Sequence, residues 1–268
     1  MRLRAGTPAH PDEELWSAAR DDGRGALTRA LRASATVGVC GLGRTGLLLA
    51  RSLVACGMGT VVVDDDLEVD TRDVGPGGYD LRDVGASRRS AAARLLHGYG
   101  GRVGLGERTD LDVVVVVGGG PLDVTRTWQL MGHGIPHLPV AWEGAAVTVG
   151  PLVVPGTTAC LRCVDLHRAD DAARVPQRTA SARYGRHAEE TVLALAAAGA
   201  AVRAVTRLVD GRDVGIATTE QFVSAAAAHH VERWPPHPAC GCHSLVASQK
   251  GPLNVNGPFG GGTADAPG

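Results

Sequence analysis

A strand–loop–helix–strand segment close to the N-terminus constrains the fold of this chain most. Residues 35–40 (ATVGVC) are apolar and lead into the glycine-rich residues 41–46 (GLGRTG). Residues 47–56 then carry apolar side chains at helical spacing, and residues 60–63 form a second apolar run that is followed by three aspartates. A strand, a glycine loop, a helix and a second strand in this order predict a βαβ unit, which favours a parallel sheet.

The glycine loop and the aspartates give the first indication of chemistry. Gly41 permits a tight turn, Gly43 lets the backbone approach a phosphate, and Gly46 allows close packing of helix on strand. The first turn of the helix supplies amide donors for an anion. Asp64 lies 21 residues after Gly43, where a carboxylate can accept the ribose hydroxyls of a nucleotide. The pattern predicts a nucleotide site; the alternative is a tight turn that needs glycine, followed by aspartates that only end a strand.

The remaining sequence predicts a mixed sheet with helices on both faces. Residues 112–117 (DVVVVV) contain an unbroken β-branched run, as in a central strand that is covered on both sides. Residues 137–142 and 145–154 are predicted to be strands joined by a tight turn, so the second half of the sheet is expected to be antiparallel. The other predicted elements are helices at 13–20, 26–33, 87–97, 124–132 and 189–209, a strand at 215–222, and a polar stretch at 165–187. No repeat is recognised.

These elements divide the chain into three regions. Residues 1–34 are predicted to form an N-terminal helical extension, and residues 35–243 the α/β domain. Residues 244–268 are rich in Gly, Pro, Ala and Asn without a period, so we predict a disordered tail.

Four of the six cysteines form two close pairs. Cys160 and Cys163 are separated by two residues and Cys240 and Cys242 by one, and each pair lies beside turn-forming residues. Two close pairs of thiolates are what a closed tetrahedral zinc site requires, so we expect a structural Zn²⁺ bound by all four. The alternatives are two unrelated pairs, or a redox dithiol formed by Cys160 and Cys163.

Charge and hydropathy narrow the function classes. With 27 basic and 28 acidic residues the formal net charge is −1, so no basic field attracts nucleic acid or an anionic membrane. No run is recognised that approaches the about 18 apolar residues of a membrane span, and no apolar signal segment opens the chain. We therefore expect a cytoplasmic protein without nucleic-acid or membrane partners, a compartment in which close cysteine pairs indicate metal rather than disulfide.

Together these motifs resemble the ThiF/MoeB/HesA family of ubiquitin-activating-enzyme-like proteins. The resemblance covers residues 36–242, from the glycine loop and the acidic strand end to the second cysteine pair. Residues 149–156 (VGPLVVPG), 160–168 (CLRCVDLHR) and 237–242 (HPACGC) are similar to one branch, the ThiF-like cyclodehydratase or leader-peptide-binding partners of thiazole/oxazole-modified peptide pathways. Many members of that branch carry an additional N-terminal peptide-binding module, for which the residues before the first strand are expected to be too few.

The resemblance implies a Rossmann-like fold, a homodimer, and adenylation of the C-terminal carboxylate of a small carrier protein or precursor peptide with ATP and Mg²⁺. The candidate cofactor-binding residues that it implies are Gly41, Gly43, Arg44, Gly46, Asp64, Asp66 and Arg88.

The sequence departs from the family pattern where charge is needed. Arg44 stands where the family usually has a glycine, and Arg88 or Arg89 where it has an ATP-contacting lysine. An arginine keeps the charge of a lysine but not its geometry. The family's aspartate that helps to hold Mg²⁺ falls on residues 118–120, which are glycines, and Asp123 follows three residues later.

Two functions from different classes fit these observations. The first is an ATP-dependent adenylyltransferase in which several motifs are altered. The alternative is a non-catalytic scaffold that binds a precursor peptide or a partner enzyme. A NAD-dependent oxidoreductase also fits a glycine loop followed by an acid, but it leaves the antiparallel strands and the zinc site without a role. No residue is assigned as catalytic.

Overall fold

The computed structural model describes residues 10–19, 23–75, 77–98, 102–106, 110–119, 124–172, 189–212, 217–223 and 228–243. The described helices are α1 (Glu13–Ala18), α2 (Gly25–Ser34), α3 (Arg44–Ala55), α4 (Arg88–His97), α5 (Val124–Gly132), α6 (Leu161–Ala172) and α7 (Thr191–Val209). The described strands are β1 (Thr36–Cys40), β2 (Thr60–Asp64), β3 (Arg102–Leu105), β4 (Val113–Gly119), β5 (His137–Glu143), β6 (Ala146–Val149), β7 (Ala217–Val223) and β8 (Ala228–Trp234). The predicted tail, residues 244–268, lies outside the described residues.

The described strands form one sheet in the order β3-β2-β1-β4-β5-β6-β7-β8. The strands from β3 to β5 are parallel, whereas β5, β6, β7 and β8 pair antiparallel. The predicted change from a parallel to an antiparallel half is therefore confirmed. β2 and β3 lie on one side of β1 and β4 on the other, so the strand order reverses at β1. In an open α/β sheet, this reversal opens a crevice at the carboxyl ends of the strands.

Helices cover both faces of the sheet, and the valines of β4 show this directly. Val115 is fully buried in the cluster that contains the apolar side chains of α3 and α7. Val116 belongs to a second cluster with Leu130 of α5 and Ile135. Because successive side chains of a strand point to opposite faces, an unbroken valine run is what a strand buried on both sides needs.

Helix α7 is the longest described helix and is apolar enough to be considered as a membrane span. It has 19 residues and a mean hydropathy of 1.7, so by length and composition alone it could cross a membrane. The expectation that the chain has no apolar run of this length was therefore wrong. In the structure, however, α7 packs against α3 and the sheet, and Ala194, Ala197, Ala201 and Val205 are fully buried there. The apolar composition of α7 is explained by packing in the protein core.

The N-terminal extension is attached to the α/β domain by a buried ion pair. Arg32 donates to the two oxygens of the Asp210 carboxylate through Nε and Nη2, each at 2.8 Å, and Asp210 follows the last residue of α7. The side chains of Arg32 and Asp210 are 9% and 4% exposed. The Arg32 guanidinium also lies 4.5 Å from the ring centre of Trp16, which belongs to α1. Helices α1 and α2 are thus anchored to the end of α7.

Some of the described elements were not predicted from the sequence. The polar stretch that follows Cys163 begins as helix α6, and the edge strand β3 was not predicted. His229 and His230 lie in strand β8, where the His229 ring stacks on Phe222 of β7 with 4.6 Å between the ring centres. β3 is only four residues long (RVGL), and β8 (AHHVERW) carries several polar side chains, so neither has the long apolar run by which buried strands are recognised.

A tandem repeat that was not recognised in the sequence lies between β2 and α4. Residues 70–75 (DTRDVG) and 80–85 (DLRDVG) each form a 3₁₀ turn with a capping box. The second aspartate of each copy is buried, and it pairs with an arginine of α4: Asp73 with Arg88, and Asp83 with Arg94. The repeat therefore attaches this loop to α4 at two points.

Candidate functional site

The glycine loop connects β1 to α3 at the carboxyl end of the parallel strands. Gly41 has a φ of +87°, and a Cβ atom added to it would lie 2.0 Å from the carbonyl oxygen of Val117 in β4. A Cβ atom added to Gly46 would lie 1.9 Å from the carbonyl oxygen of Gly41. A side chain at either position would collide with backbone atoms of neighbouring elements, so both glycines are required by the close approach of loop, helix and strand.

A carboxylate of the same chain fills the loop at the N-terminus of α3. Glu189 Oε2 accepts hydrogen bonds from the backbone N–H and the Oγ1 hydroxyl of Thr45, both at 2.5 Å. Its other oxygen, Oε1, lies 2.2 Å from where a Cβ atom of Gly43 would be. Thr45 Oγ1 in turn accepts a hydrogen bond from Trp142 Nε1 at 3.1 Å. Burial raises the pKa of Glu189. A side chain at position 43 would therefore have to displace this carboxylate and not backbone atoms.

A second carboxylate caps the loop from the strand side. Leu42 N–H donates to Asp65 Oδ2 at 2.6 Å, and Arg88 Nη1 donates to the same oxygen at 3.2 Å. Arg88 also forms a forked pair with Asp73, with donor–acceptor distances of 2.7 to 3.0 Å. The Arg88 side chain, a candidate for contact with ATP, is 12% exposed and lies between these two carboxylates.

Asp64, the candidate ribose-binding residue, is paired with two arginines. Arg89 Nη2 donates to its Oδ1 and Arg126 Nη2 to its Oδ2, both at 2.7 Å. The same Arg89 nitrogen also donates to Asp66 Oδ1 at 2.5 Å. Asp66 is 92% exposed at its side chain, whereas Asp64 is 13% exposed. Asp64 is thus the enclosed acid at the strand end, and both of its oxygens already accept hydrogen bonds.

Arg44 does not point into the loop. Its Nη1 donates to the carbonyl oxygen of Glu189 at 3.0 Å and to Thr191 Oγ1 at 2.8 Å. Its Nη2 donates to the carbonyl oxygens of Arg72 at 2.7 Å and Val74 at 3.0 Å. This side chain therefore connects α3 to the residues that precede α7 and to the first copy of the repeat.

The end of β4 offers no carboxylate among the described residues. The strand finishes with Gly118 and Gly119, and glycine provides no side-chain ligand for Mg²⁺. Gly120 and Asp123 lie outside the described residues. Because Asp64 and Asp66 are paired with arginines, the described part of the chain does not fit the magnesium site that the family resemblance implies.

The four cysteines that were predicted to bind zinc are brought together. Their sulfur atoms all lie within 4.8 Å of one another, and none of the four forms a disulfide. The short Sγ–Sγ distances are 3.8 Å for Cys160–Cys163, 3.6 Å for Cys160–Cys240 and 3.5 Å for Cys163–Cys242. A tetrahedral site with Zn–S bonds of about 2.3 Å has edges of about 3.8 Å, so these three distances are close to those of a zinc site.

The cysteine cluster connects two separate segments of the chain. Cys160 and Cys163 lie at the start of α6, and the other two cysteines follow β8, so a metal would attach the last described segment to α6. Burial raises the pKa of the Cys160 thiol to about 11. A metal must therefore displace protons, and its affinity is expected to decrease as the pH falls. His237 Nε2 donates to Asp170 Oδ2 at 3.0 Å, and His237 is not part of the cluster.

Three residues of the glycine-loop site were missed by sequence reasoning. Glu189 was taken only as the start of a helix, Asp65 only as part of an acidic run, and Arg126 was not singled out. The partners Thr45 and Glu189 are 144 positions apart, and Asp64 and Arg126 are 62 apart. No local sequence pattern relates residues so far apart, so these pairs could be identified only from the tertiary structure.

Comparison with known proteins identifies the fold. No protein-family model and no curated protein sequence matches the chain. The crystal structure of E. coli MccB with ATP has a TM-score of 0.67 and 16% sequence identity, over 81% of this chain and 69% of MccB. The structure of the microcin C7 biosynthetic enzyme MccB with N-formylated MccA has a TM-score of 0.68 and 16% identity, over 82% of this chain and 70% of MccB. Selenomethionine-containing PaaA has a TM-score of 0.63 and 14% identity over 86% of both chains. The chain therefore has the fold of MccB, in agreement with the mixed α/β fold that the sequence predicted.

Proposed function

We propose that this chain binds ATP at the glycine loop and adenylates the C-terminal carboxylate of a precursor peptide or small carrier protein. The observation that carries the proposal is the geometry of the loop. Backbone atoms exclude a side chain at Gly41 and Gly46, and the loop lies where the strand order reverses. Nucleotides bind at this position in open α/β sheets. The shared fold with MccB, which has been crystallised with ATP and with MccA, adds support.

The proposed reaction is transfer of AMP to a carboxylate. A carboxylate oxygen of the peptide attacks the α-phosphorus of ATP, the bond between that phosphorus and the β-bridging oxygen breaks, and pyrophosphate leaves with its electron pair. Negative charge on the phosphates must be stabilised by fixed donors and cations. In this chain the nearby donors are the N–H groups of Leu42 and Thr45 and the arginines 88, 89 and 126, and each of these groups already donates to a carboxylate. We assign no step to Mg²⁺.

A second function, peptide binding without adenylation, is favoured by one specific observation. Asp64 accepts a hydrogen bond from an arginine at each of its oxygens, and Gly118 and Gly119 stand at the end of β4. A scaffold of this fold needs neither a free ribose-binding acid nor a metal ligand there. This second candidate binds a leader or precursor peptide for a partner enzyme. A nicotinamide oxidoreductase is not favoured, because the antiparallel strands β6 to β8 and the four-thiolate cluster have no role in it.

Three further properties belong to the proposal. We infer a homodimer, a cytoplasmic location in which the four thiols stay reduced, and a structural Zn²⁺ at the cysteine cluster. The oligomeric state is tested by light scattering on zinc-loaded protein, in which a mass of one chain, 27.6 kDa, contradicts the homodimer.

The first prediction concerns recognition of the ribose. Asp64→Asn is expected to weaken binding of Mg-ATP at least about tenfold, the loss of about 1.4 kcal/mol that one hydrogen bond to a charged group supplies. Binding of inorganic pyrophosphate is expected to stay the same or to become tighter, because Arg89 and Arg126 lose a competing negative charge. Isothermal titration with both ligands, together with ATP–pyrophosphate exchange in the presence of candidate peptides, measures these effects.

The comparison variant is Asp66→Asn, which removes the other carboxylate on Arg89 but from an exposed position. It is expected to change ATP binding less than Asp64→Asn does. Saturable binding of ATP by the unaltered protein, with a dissociation constant below about 1 mM, is required for the adenylation proposal. If zinc-loaded protein binds a peptide but neither ATP nor pyrophosphate, the scaffold function replaces it.

A further inference from the structure

The Glu189 carboxylate occupies the place at which a glycine loop holds a phosphate. A helix N-terminus after a glycine turn binds anions through its free backbone N–H groups and through nearby hydroxyls. Here those donors are the N–H and the hydroxyl of Thr45, and both are directed to a single oxygen of Glu189. The other oxygen of Glu189 lies over Gly43, on the surface by which a phosphate approaches the loop.

The position of this carboxylate is built into the fold and not a loose side-chain contact. The carbonyl oxygen of Glu189 accepts a hydrogen bond from Arg44, which belongs to the same helix as Thr45. The neighbouring Glu190 caps α7, with its carboxylate accepting from the N–H groups of Val192 and Leu193 at 3.1 and 2.8 Å. Glu189 is therefore bound to α3 at both its backbone carbonyl and its side chain, directly before the capped start of α7.

The neighbouring donors that could bind a second anion beside Glu189 already have carboxylate partners. Asp65 already occupies Leu42 N–H, and Arg88 is shared by Asp65 and Asp73. Two anions at contact distance in a partly buried site repel each other strongly. A phosphate can take the Thr45 donors only if the carboxylate leaves them.

We propose that the Glu189 side chain acts as an internal anion at the glycine loop. A nucleotide phosphate must displace this carboxylate from the Thr45 donors in order to bind there. This inference deepens the proposed function and rests on it for the identity of the ligand as a nucleotide. It explains why a loop with the geometry of a phosphate cradle has no unused donor at Thr45. It also predicts that the charge at position 189 sets the affinity of the loop for phosphate.

The test compares three variants of the full-length, zinc-loaded protein. Glu189→Ala removes both the charge and the volume, and Glu189→Gln removes the charge alone. The matched control is Glu190→Gln, an equal change of charge at the next residue, which caps α7 and does not contact the loop. Each is titrated with inorganic pyrophosphate and with ATP by calorimetry, after thermal unfolding has shown that it is folded.

We expect pyrophosphate to bind Glu189→Ala at least about tenfold more tightly than the unaltered protein, which is about 1.4 kcal/mol. Glu189→Gln is expected to be intermediate and Glu190→Gln unchanged. Equal pyrophosphate binding by the unaltered protein and both Glu189 variants, or none by any of them, overturns the inference. If Glu189→Ala gains pyrophosphate binding while no variant binds ATP, the internal anion stands and the adenylation proposal fails. If the unaltered protein binds ATP as tightly as both variants do, adenylation stands and the internal anion fails.

Discussion

Replacing Cys163 by serine is expected to abolish zinc binding and to lower the free energy of unfolding by at least about 3 kcal/mol. Cys163 is fully buried, and its sulfur lies 3.8 Å from that of Cys160 and 3.5 Å from that of Cys242. Structural zinc binds to zinc-finger peptides with about 10–16 kcal/mol, and that energy is folding energy. For a domain of this size, a loss of about 3 kcal/mol lowers the melting temperature by about 6–12 °C. Elemental analysis and thermal unfolding measure the two effects.

The control for the cysteine variant is Cys56→Ser, which changes a half-buried cysteine outside the cluster. It is expected to keep one zinc ion per chain and to change the melting temperature much less. A strong chelator is expected to lower the stability of the unaltered protein to that of Cys163→Ser. The four-thiolate site is contradicted if Cys163→Ser retains one equivalent of zinc. It is also contradicted if the unaltered protein purifies without zinc and its melting temperature does not change with the chelator.

The second large effect is expected at the ion pair that attaches the N-terminal helices. Asp210→Ala leaves the Arg32 guanidinium buried without its carboxylate, and breaking a buried pair in this way costs about 3–5 kcal/mol. Urea unfolding at neutral pH measures this loss. The loss is expected to be smaller in the double variant Arg32→Met/Asp210→Leu, because apolar side chains of similar volume leave no buried charge unpaired.

An exposed pair provides the matched comparison. Arg82 and Asp80 form a salt bridge of 2.7 Å, but their side chains are 76% and 58% exposed. Arg82→Ala is expected to cost less than about 1 kcal/mol, because water already solvates both charges. If Asp210→Ala destabilises the protein no more than Arg82→Ala does, the extension is not anchored by the Arg32–Asp210 pair.

The core of the fold was predictable because the signals are local. The apolar run at residues 35–40, the glycine spacing at 41–46 and the valines of β4 each report burial through neighbouring positions in the chain, and the structure confirms the strands and the helix between them. Strands β3 and β8 were missed because one edge of each is unpaired among the described strands, and their sequences lack an apolar run. The local signal weakens wherever only one side of an element is covered.

The candidate sites show where sequence and tertiary structure divide. By itself the sequence determined which residues are chemically suited to a site: glycines that permit close backbone approach, and four thiols in two close pairs that suit one metal. Only the tertiary structure decided how the charged side chains are used. Asp64 is paired with Arg89 and Arg126, and the Glu189 carboxylate lies on Thr45 from 144 positions away. The physical reason is that backbone conformation and metal preference depend on residue type and spacing, whereas the partner of a charge depends on which distant segments the packing of helices on the sheet brings within hydrogen-bonding distance.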